Sequence, residues 1–321
     1  MVKLLFLIAS HKNPQQVSRL IRILKTGSSQ SQILIHHDCS ASYLNPGDFN
    51  DMHGIHILKN HIAVEWGDFT IIEAVLHCFK YLMDLSIEFD WLIFLSGQDY
   101  PIRPLNQLEQ FLESTEYDGF MRYGLAQDAT IWGEDQSMYR YLYRYYKLPY
   151  FPYYYKLPSS IKNTLKRARI FINKIQPIVN IKAGSQSVKA RVGIRRVSTP
   201  FTADFTCYRG STWFKLSRRC VHYIYKFILE NPDILRYYRR TFAPDESLFH
   251  TTILNNDDLK ISNNNLHYIS WNTSTSAHPD ILVSKDFDRI ISSKQFFARK
   301  FDMEADSQIL NMLDEYIQNN N

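Results

Sequence analysis

Short apolar runs alternate with stretches of helical spacing along the first third of the chain. A continuous apolar run is typical of a strand covered on both faces, and apolar positions three or four residues apart are typical of an amphipathic helix. The predicted strands lie at 3–10, 33–38, 55–59 and 91–95. The predicted helices lie at 14–25, 68–85 and 105–112. This alternation predicts an α/β fold with a mostly parallel sheet flanked by helices.

The pattern breaks in a basic, tyrosine-rich segment at 136–203. This segment contains 14 Lys and Arg residues but no Asp or Glu, and nine tyrosines lie between Tyr139 and Tyr155. Because the whole chain carries a net charge of only +5, the rest of it is net acidic. We interpret the segment as an insertion in the α/β body, helical around 158–175.

Regular elements are predicted again beyond the insertion. Ser211 or Thr212 would cap a helix that runs to Leu229, and Pro244 suits the first position of a helix over 245–254. The remaining predicted elements are a strand at 266–269 and helices at 284–292, 294–300 and 305–318.

The composition is that of a globular protein. Hydrophobic residues make up 45% of the 321 residues, and no run approaches the ~20 apolar residues that span a bilayer. The four cysteines are scattered and form no Cys-x-x-Cys pair, which predicts neither a disulfide framework nor a zinc site. Such cysteine usage fits a reducing compartment, and we expect a cytoplasmic protein.

A polar interruption follows the apolar strand in the stretch LIFLSGQDYPIRP at 92–104. Ligands of parallel α/β sheets bind beyond the carboxyl ends of the strands, where Gly97 would let the backbone approach a ligand and Asp99 would offer a carboxylate. Pro101 and Pro104 would restrict the loop. A buried strand followed by a turn explains the same residues.

Two further stretches place charged residues where they can act in chemistry. In TFAPDESLFHTTILNN, Asp245 and Glu246 fall in a first helical turn, whose dipole favours an ionised carboxylate, and such a carboxylate beside a cleft can act as general base. In SSKQFFARKFD, Arg299 and Lys300 stand among phenylalanines, an arrangement that suits a phosphate or diphosphate. Charged helix ends that only stabilise the fold explain both stretches as well.

Two patterns that resemble metal sites are interpreted as structural. The Asp-Phe-Asp sequence at 286–288 has the form D-x-D, but it lies in a helical pattern that Ser284 would cap. Five histidines between 36 and 61 offer no i,i+4 ligand pair with a third partner, although His36 and Asp38 fall at a strand end where a ligand can lie. Neither pattern therefore predicts a metal site.

Seven stretches, taken in order, resemble the core-2/I-branching enzyme and peptide O-xylosyltransferase family of glycosyltransferases. They are IHHD (35–38), VEWGDFTIIEA (64–74), DWLIFLSGQDYPIRPLNQL (90–108), GSTWFKLSR (210–218), APDESLFHTTILNN (243–256), YISW (268–271) and FFARKFD (296–302). The resemblance implies one domain over 1–321 with a GT-A-type nucleotide-sugar-binding fold. Its parts would be a nucleotide-binding part at 1–124, the basic insertion at 136–203, and an acceptor- and diphosphate-binding part at 204–321.

The resemblance implies an inverting glycosyltransferase that needs no metal and no other cofactor, with a UDP-sugar as co-substrate. Such an enzyme would move a sugar, here xylose or N-acetylglucosamine, from a UDP-sugar to a hydroxyl of a glycan acceptor and form a β-linkage. Single displacement needs one general base, which the resemblance assigns to Glu246, with Asp245 in a structural role beside the acceptor. Without a metal ion, Arg299 and Lys300 would stabilise the charge that develops on the leaving diphosphate.

The resemblance also assigns further residues to the donor and acceptor sides of the site. The further residues expected on the donor side are His36, Asp38, Trp66, Asp99 and His278. His278 would replace a basic residue that some members carry near position 277, and Asp99 would face a sugar. Trp213 is a candidate acceptor platform, because aromatic faces pack against sugars; a core tryptophan at a helix start is the other interpretation.

The insertion lies outside the resemblance, and its residues fit three roles. Tyrosines at headgroup level, with Lys and Arg attracted to anionic lipid, would hold the protein on the inner face of a membrane beside a lipid-linked glycan. An anionic glycan acceptor would attract the same residues, and a solvated insertion needs neither partner. We favour membrane or acceptor contact.

Two other functions remain open at this point. A nucleic-acid-binding protein fits the basic segment, but no RNA-binding motif is present and the α/β body would be unexplained, so we expect no nucleic-acid partner. A metal-dependent hydrolase would use Asp99, Asp245 and Glu246.

Overall fold

The computed structural model describes residues 2–128, 138–149, 157–184, 189–271 and 278–320. Its strands are β1 (Leu4–Ser10), β2 (Gln32–His37), β3 (Ile55–Ile57), β4 (Trp91–Ser96), β5 (Asp99–Pro101), β6 (Gly119–Leu125), β7 (Tyr143–Lys147), β8 (Val179–Lys182), β9 (Arg191–Arg195), β10 (Tyr208–Ser217), β11 (Ile261–Ser262), β12 (His267–Ile269) and β13 (Phe297–Arg299). Its α-helices are α1 (Pro14–Gly27), α2 (Thr70–Asp84), α3 (Leu105–Ser114), α4 (Tyr139–Leu142), α5 (Ser159–Ile175), α6 (Arg218–Glu230), α7 (Pro232–Tyr238), α8 (Leu248–Leu254), α9 (Phe287–Ser292) and α10 (Gln308–Asn319). Short 3₁₀ turns lie at Pro46–Phe49, Pro244–Glu246 and Ser284–Asp286.

A seven-stranded sheet with the order β11-β6-β10-β4-β1-β2-β3 forms the centre of the fold. Strands β1 to β4 pair in parallel, whereas β10 runs antiparallel to both β4 and β6. Strand β11 is parallel to β6, so β10 is the one reversed strand in this sheet of the described residues. The predicted α/β class with a mostly parallel sheet flanked by helices is confirmed.

The core lies on both faces of this sheet. Alternate side chains of β1 point to opposite faces, so Phe6 and Ile8 pack with α1, α3 and α10, while Leu5 and Leu7 pack with α2 and α6. This two-sided burial explains why β1 is a continuous apolar run. Ala9 lies opposite both His36 and Ser96, so β1, β2 and β4 end at the same level and form one edge.

Two helices predicted in the carboxyl half of the chain are strands, one in its first part and one over its central residues. The segment from Ser211 to Ser217 belongs to β10, and the helix begins only at Arg218, where the Ser217 hydroxyl accepts from the Cys220 amide at 3.4 Å. A bulge interrupts β10 between Gly210 and Phe214. A side chain at position 210 would reach within 1.8 Å of the Arg122 carbonyl oxygen, so only glycine fits there.

The predicted helix at 294–300 is likewise wrong, because Phe297–Arg299 forms β13 between β12 and β5. All three residues of β13 are buried, and a short buried run forms a strand as readily as a helix. The predicted helix over 245–254 is divided into the 3₁₀ turn Pro244–Glu246 and α8.

The insertion folds as the helix α5 on a small antiparallel sheet, β7-β9-β8. The predicted helix around 158–175 is confirmed, whereas the sheet was not predicted. Ion pairs attach it to the body: Lys147 lies 2.9 Å from both Glu65 and Asp68, and Arg191 lies 3.2 Å from Asp68. Tyrosines beyond 149 in the predicted aromatic stretch lie outside the described residues. No helix in the described ranges is long and apolar enough to cross a membrane.

Candidate active site

A cleft of about 1470 Å³ opens at the edge of the sheet where β1, β2 and β4 end. It brings together most of the residues predicted for the site. The predicted residues that line it are His36, Asp38, Trp66, Trp213, Asp245, Glu246, His278, Arg299 and Lys300. Asp99 does not line it. The position agrees with the expectation that ligands of parallel sheets bind beyond the strand ends.

Glu246 is held at the cleft by two arginines. Its Oε2 accepts hydrogen bonds from Arg140 at 2.7 Å and from Arg209, and the side chain is 23% exposed. Burial acts to raise the pKa of Glu246, but the attraction of Arg140 and Arg209 outweighs burial and lowers it. The carboxylate is therefore ionised at neutral pH. Neither arginine was predicted, because each lies far from Glu246 along the chain.

Asp245 has the opposite electrostatics although it is the next residue. Burial and the negative charge of Glu246 raise the pKa of Asp245 to about 6. Its Oδ2 accepts a hydrogen bond from the Thr212 hydroxyl at 2.8 Å, and its buried Oδ1 has no partner among the described residues. Two adjacent carboxyls with separated pKa values are typical of sites that move protons.

A cationic corner, formed by Lys12, Arg299 and Lys300, lies in the same cleft, with His278 beside it. Burial, together with repulsion from Lys12 and Arg299, lowers the pKa of Lys300. Burial and the same kind of repulsion lower the pKa of His278. Like charges held together in a cleft favour an anionic ligand. Lys12 was not predicted. Its position two residues after the end of β1 could have indicated it, because ligands of parallel sheets bind beyond the strand ends.

Asp99 lies beneath the cleft rather than on its wall. Its side chain is fully buried, its Oδ2 accepts from the Trp213 indole at 2.7 Å, and its Oδ1 lies 3.5 Å from Arg299 Nε. The Arg299 guanidinium in turn lies 3.5 Å from the centre of the Trp213 ring. Asp99 therefore positions Arg299 and Trp213. It was expected to face a sugar, but it contributes to the cleft only through these two side chains. Gly97, also expected to approach a ligand, does line the cleft, and a side chain at this position would come within 3.0 Å of Val17 and Ser10.

A buried Lys–His pair supports Asp99 from behind. Lys215 donates to His267 Nδ1 at 2.8 Å and to the Asn265 carbonyl, and His267 Nε2 lies 3.7 Å from Asp99 Oδ1. Burial lowers the pKa of Lys215 to about 7, and burial and Lys215 lower that of His267 to about 3. A neutral His267 that accepts at Nδ1 carries its proton at Nε2, facing Asp99. Sequence reasoning missed both residues.

His36 and Asp38 hold the loop that carries Trp66. His36 Nε2 accepts from the Ile62 amide and Asp38 Oδ2 from the Val64 amide, both at 2.9 Å. Trp66 itself is 46% exposed, and its ring lies 6.1 Å from that of His278. An exposed indole in a cleft offers a flat apolar face to a ligand.

Trp213 lies in β10, so the interpretation as a core residue at a helix start is wrong. It is half-buried between Asp99 and Arg299, with part of its ring on the cleft. In this position it both lines the site and supports the cationic corner.

Within the described ranges, no three His, Cys, Asp or Glu side chains converge as metal ligands. The Asp-Phe-Asp sequence lies at the start of α9, where Asp286 accepts from the Val283 amide at 3.0 Å, so the prediction of a helix start is confirmed. The metal-dependent hydrolase required Asp99, Asp245 and Glu246 to act together, but Asp99 is enclosed by Trp213 and Arg299. All four cysteines are free.

Replacing Asp99 by asparagine should destabilise the protein by about 2–3 kcal/mol at neutral pH. Burial acts to raise the pKa of Asp99, but the charge of Arg299 and the contact with His267 lower it to about 2. A carboxyl with a depressed native pKa contributes stability that is present above its unfolded pKa of ~3.9 and is lost as the pH falls toward the native value. Urea unfolding measures this effect: the difference in the free energy of unfolding between wild type and variant should narrow below about pH 4.

Asp245→Asn is the matched comparison, because its native pKa is raised rather than lowered. Ionising Asp245 costs stability as the pH rises from ~3.9 to about 6, so the variant should be at least as stable as wild type at pH 7. This advantage should vanish below pH ~4. Equal losses from both variants at every pH would show that neither carboxyl has the electrostatics described.

Comparison with known proteins places the chain in a family. The profile of the family described as Core-2/I-Branching enzyme matches residues 5–128 and 156–291. β-Glucuronosyltransferase GlcAT14B of Arabidopsis thaliana is 26% identical over 317 residues, covering 98% of this chain and 62% of that protein. Xylosyltransferase 1 of Rattus norvegicus is 23% identical over 344 residues, covering 99% of this chain.

The chain spans only part of these relatives, 36% of the rat xylosyltransferase, for example. Among solved structures, apo mouse xyloside xylosyltransferase 1 is similar with a TM-score of 0.39 at 8% identity, covering 93% of this chain and 97% of that one. The family profile, by contrast, matches well over half of the chain, and its ranges include β1, β2, β4 and Glu246 but not Arg299 and Lys300. The chain belongs to the core-2/I-branching enzyme family.

Proposed function

We propose that this protein is an inverting, metal-independent glycosyltransferase that moves a sugar from a UDP-sugar to a hydroxyl of a glycan acceptor and forms a β-linkage. The observation that carries the proposal is one cleft containing an ionised carboxylate and a cluster of cations. Glu246 supplies the carboxylate, and Lys12, Arg299 and Lys300 supply the cations. Membership of the family supports the reaction class.

The reaction proceeds by a single displacement. The acceptor hydroxyl oxygen attacks C1 of the donor sugar, its proton passes to Glu246, and the C1–O bond to the diphosphate breaks with its electron pair on UDP. A carboxylate paired with Arg140 and Arg209 is a weak base, but it stays ionised and takes the proton only as the new bond forms. Both arginines contact Oε2, which assigns proton uptake to Oε1.

The leaving UDP needs fixed positive charge. Arg299 and Lys300 would neutralise its diphosphate, and such preorganised charges contribute a large share of the rate enhancement in enzymes of this kind. Arg299 is already oriented by Asp99 and Trp213, so it costs no rearrangement during the reaction. Trp66 would cover the nucleotide side.

The predicted donors are UDP-xylose and UDP-N-acetylglucosamine, and we add UDP-glucuronic acid because Arabidopsis relatives are named as β-glucuronosyltransferases. We propose a glycan, carried on a lipid at the cytoplasmic side of a membrane, as the acceptor.

The test is turnover of these three UDP-sugars in the presence of EDTA, read as UDP release. Release from one of them without added metal supports the proposal. No release in EDTA, restored by a divalent cation, would contradict the metal-independent mechanism.

A further inference from the structure

The helix α5 carries an apolar stripe that the described residues leave open. None of its 17 residues is buried. At 100° per residue, its large apolar side chains fall on one side of the helix, with Ile170 as the exception. The members of this stripe are Ile161, Leu165, Phe171, Ile172 and Ile175, and they are 37–62% exposed.

The helix is attached to the insertion by a different side. The Asn173 side chain donates to the Ile181 carbonyl at 3.0 Å and accepts from the Ile181 amide at 2.8 Å. Asn173 lies about 100° around the helix from Ile172, so a polar edge meets β8 while the stripe is turned away from this contact. The stripe is therefore not the side by which α5 packs on its own sheet.

The charge around the stripe is of one sign. Five basic residues lie on α5, at 162, 166, 167, 169 and 174, and the whole segment 136–203 contains no Asp or Glu. Ile178 and Val197, in the same insertion, are also exposed. An apolar stripe on a helix whose charged residues are all Lys and Arg is the pattern of a helix that lies in a membrane interface.

We propose that α5 binds an anionic lipid surface, lying parallel to it with the stripe in the headgroup layer. Charge decides between this occupant and a second copy of the chain. Two copies joined through their stripes would bring their basic residues together with no acidic residue of the segment between them. An anionic bilayer instead satisfies the basic residues and the stripe along the whole helix, which is about 25 Å long.

This contact would hold the cleft at the surface. The insertion is joined to the cleft by Arg140, which contacts Glu246, and by Lys147 and Arg191, which contact Asp68 beside Trp66. That consequence for a lipid-linked acceptor rests on the proposed function, whereas lipid binding itself does not.

The test is co-sedimentation of the full chain with vesicles of phosphatidylglycerol or of phosphatidylcholine, without donor or acceptor. Leu165→Glu should reduce the fraction bound to phosphatidylglycerol about tenfold, because it places a charge within the stripe. Ile170→Glu is the matched control: both side chains are 46% exposed on the same helix, but Ile170 lies about 140° away from Leu165. Ile170→Glu adds the same charge but outside the stripe, so this variant should retain clearly more binding to phosphatidylglycerol than Leu165→Glu.

The proposal is supported if the wild type binds phosphatidylglycerol more than phosphatidylcholine and if Leu165→Glu binds phosphatidylglycerol less than Ile170→Glu. Equal binding by both variants, or no preference for the anionic vesicles, overturns it. Self-association of the wild type that Leu165→Glu abolishes, without vesicle binding, would identify a second copy as the occupant and also overturn it. Unchanged UDP-sugar turnover by both variants separates this failure from a failure of the proposed function.

Discussion

Replacing Glu246 by glutamine should slow sugar transfer by orders of magnitude while UDP still binds. Glutamine keeps the size of the side chain and an oxygen for Arg140 and Arg209, but it cannot take the proton of the acceptor hydroxyl. Loss of a general base typically costs 10²–10⁴-fold in rate, so kcat should fall by about this factor. Initial rates of UDP release and calorimetric binding of UDP measure the two effects.

Glu73→Gln is the control for this experiment. Glu73 also accepts from an arginine, Arg239, but it does not line the cleft. This variant should keep wild-type turnover. Near-normal turnover by Glu246→Gln, or loss of UDP binding together with activity, would remove Glu246 from the role of base.

Lys300→Ala should weaken UDP binding by about 10- to 100-fold, since a hydrogen bond to a charged group contributes ~1.5–3 kcal/mol. Lys300 lies in the cleft with Arg299 and Lys12, and burial together with repulsion from these two cations lowers its pKa. A bound diphosphate relieves that repulsion. Calorimetry with UDP and with uridine should show the loss for UDP alone, because uridine has no phosphate.

The exposed Lys285→Ala provides the charge-matched control, because Lys285 lies outside the cleft. It should leave the affinity for UDP unchanged. An equal loss of affinity for uridine in Lys300→Ala would indicate a general distortion of the cleft, and an unchanged affinity for UDP would show that Lys300 does not bind the diphosphate.

The elements that the sequence predicted well are those whose pattern reflects local packing. The run of β1 is buried by helices on both sides of the sheet, and α1 presents one apolar side, so each is visible in a short window. The motifs around Asp245, Glu246, Arg299 and Lys300 also indicated the cleft, because loops after neighbouring strands meet at one edge.

The parts that were missed depend on contacts between distant segments. Strand β13 forms because β12 and β5 lie on either side of it, and nothing in its own residues distinguishes it from a helix. Arg140 and Arg209 reach Glu246 from 106 and 37 residues away. Asp99, at a strand end, was expected to offer its carboxylate to a ligand, but Trp213 and Arg299 cover it.

The most direct test of the account is the anomeric configuration of the product formed from the UDP-sugar that turns over in EDTA. Proton NMR of the freshly formed product, either the glycan or the sugar released when water replaces the acceptor, reads the configuration before it equilibrates. Single displacement with Glu246 as base predicts a β-configured product from the α-linked donor. An α-configured product would contradict the mechanism.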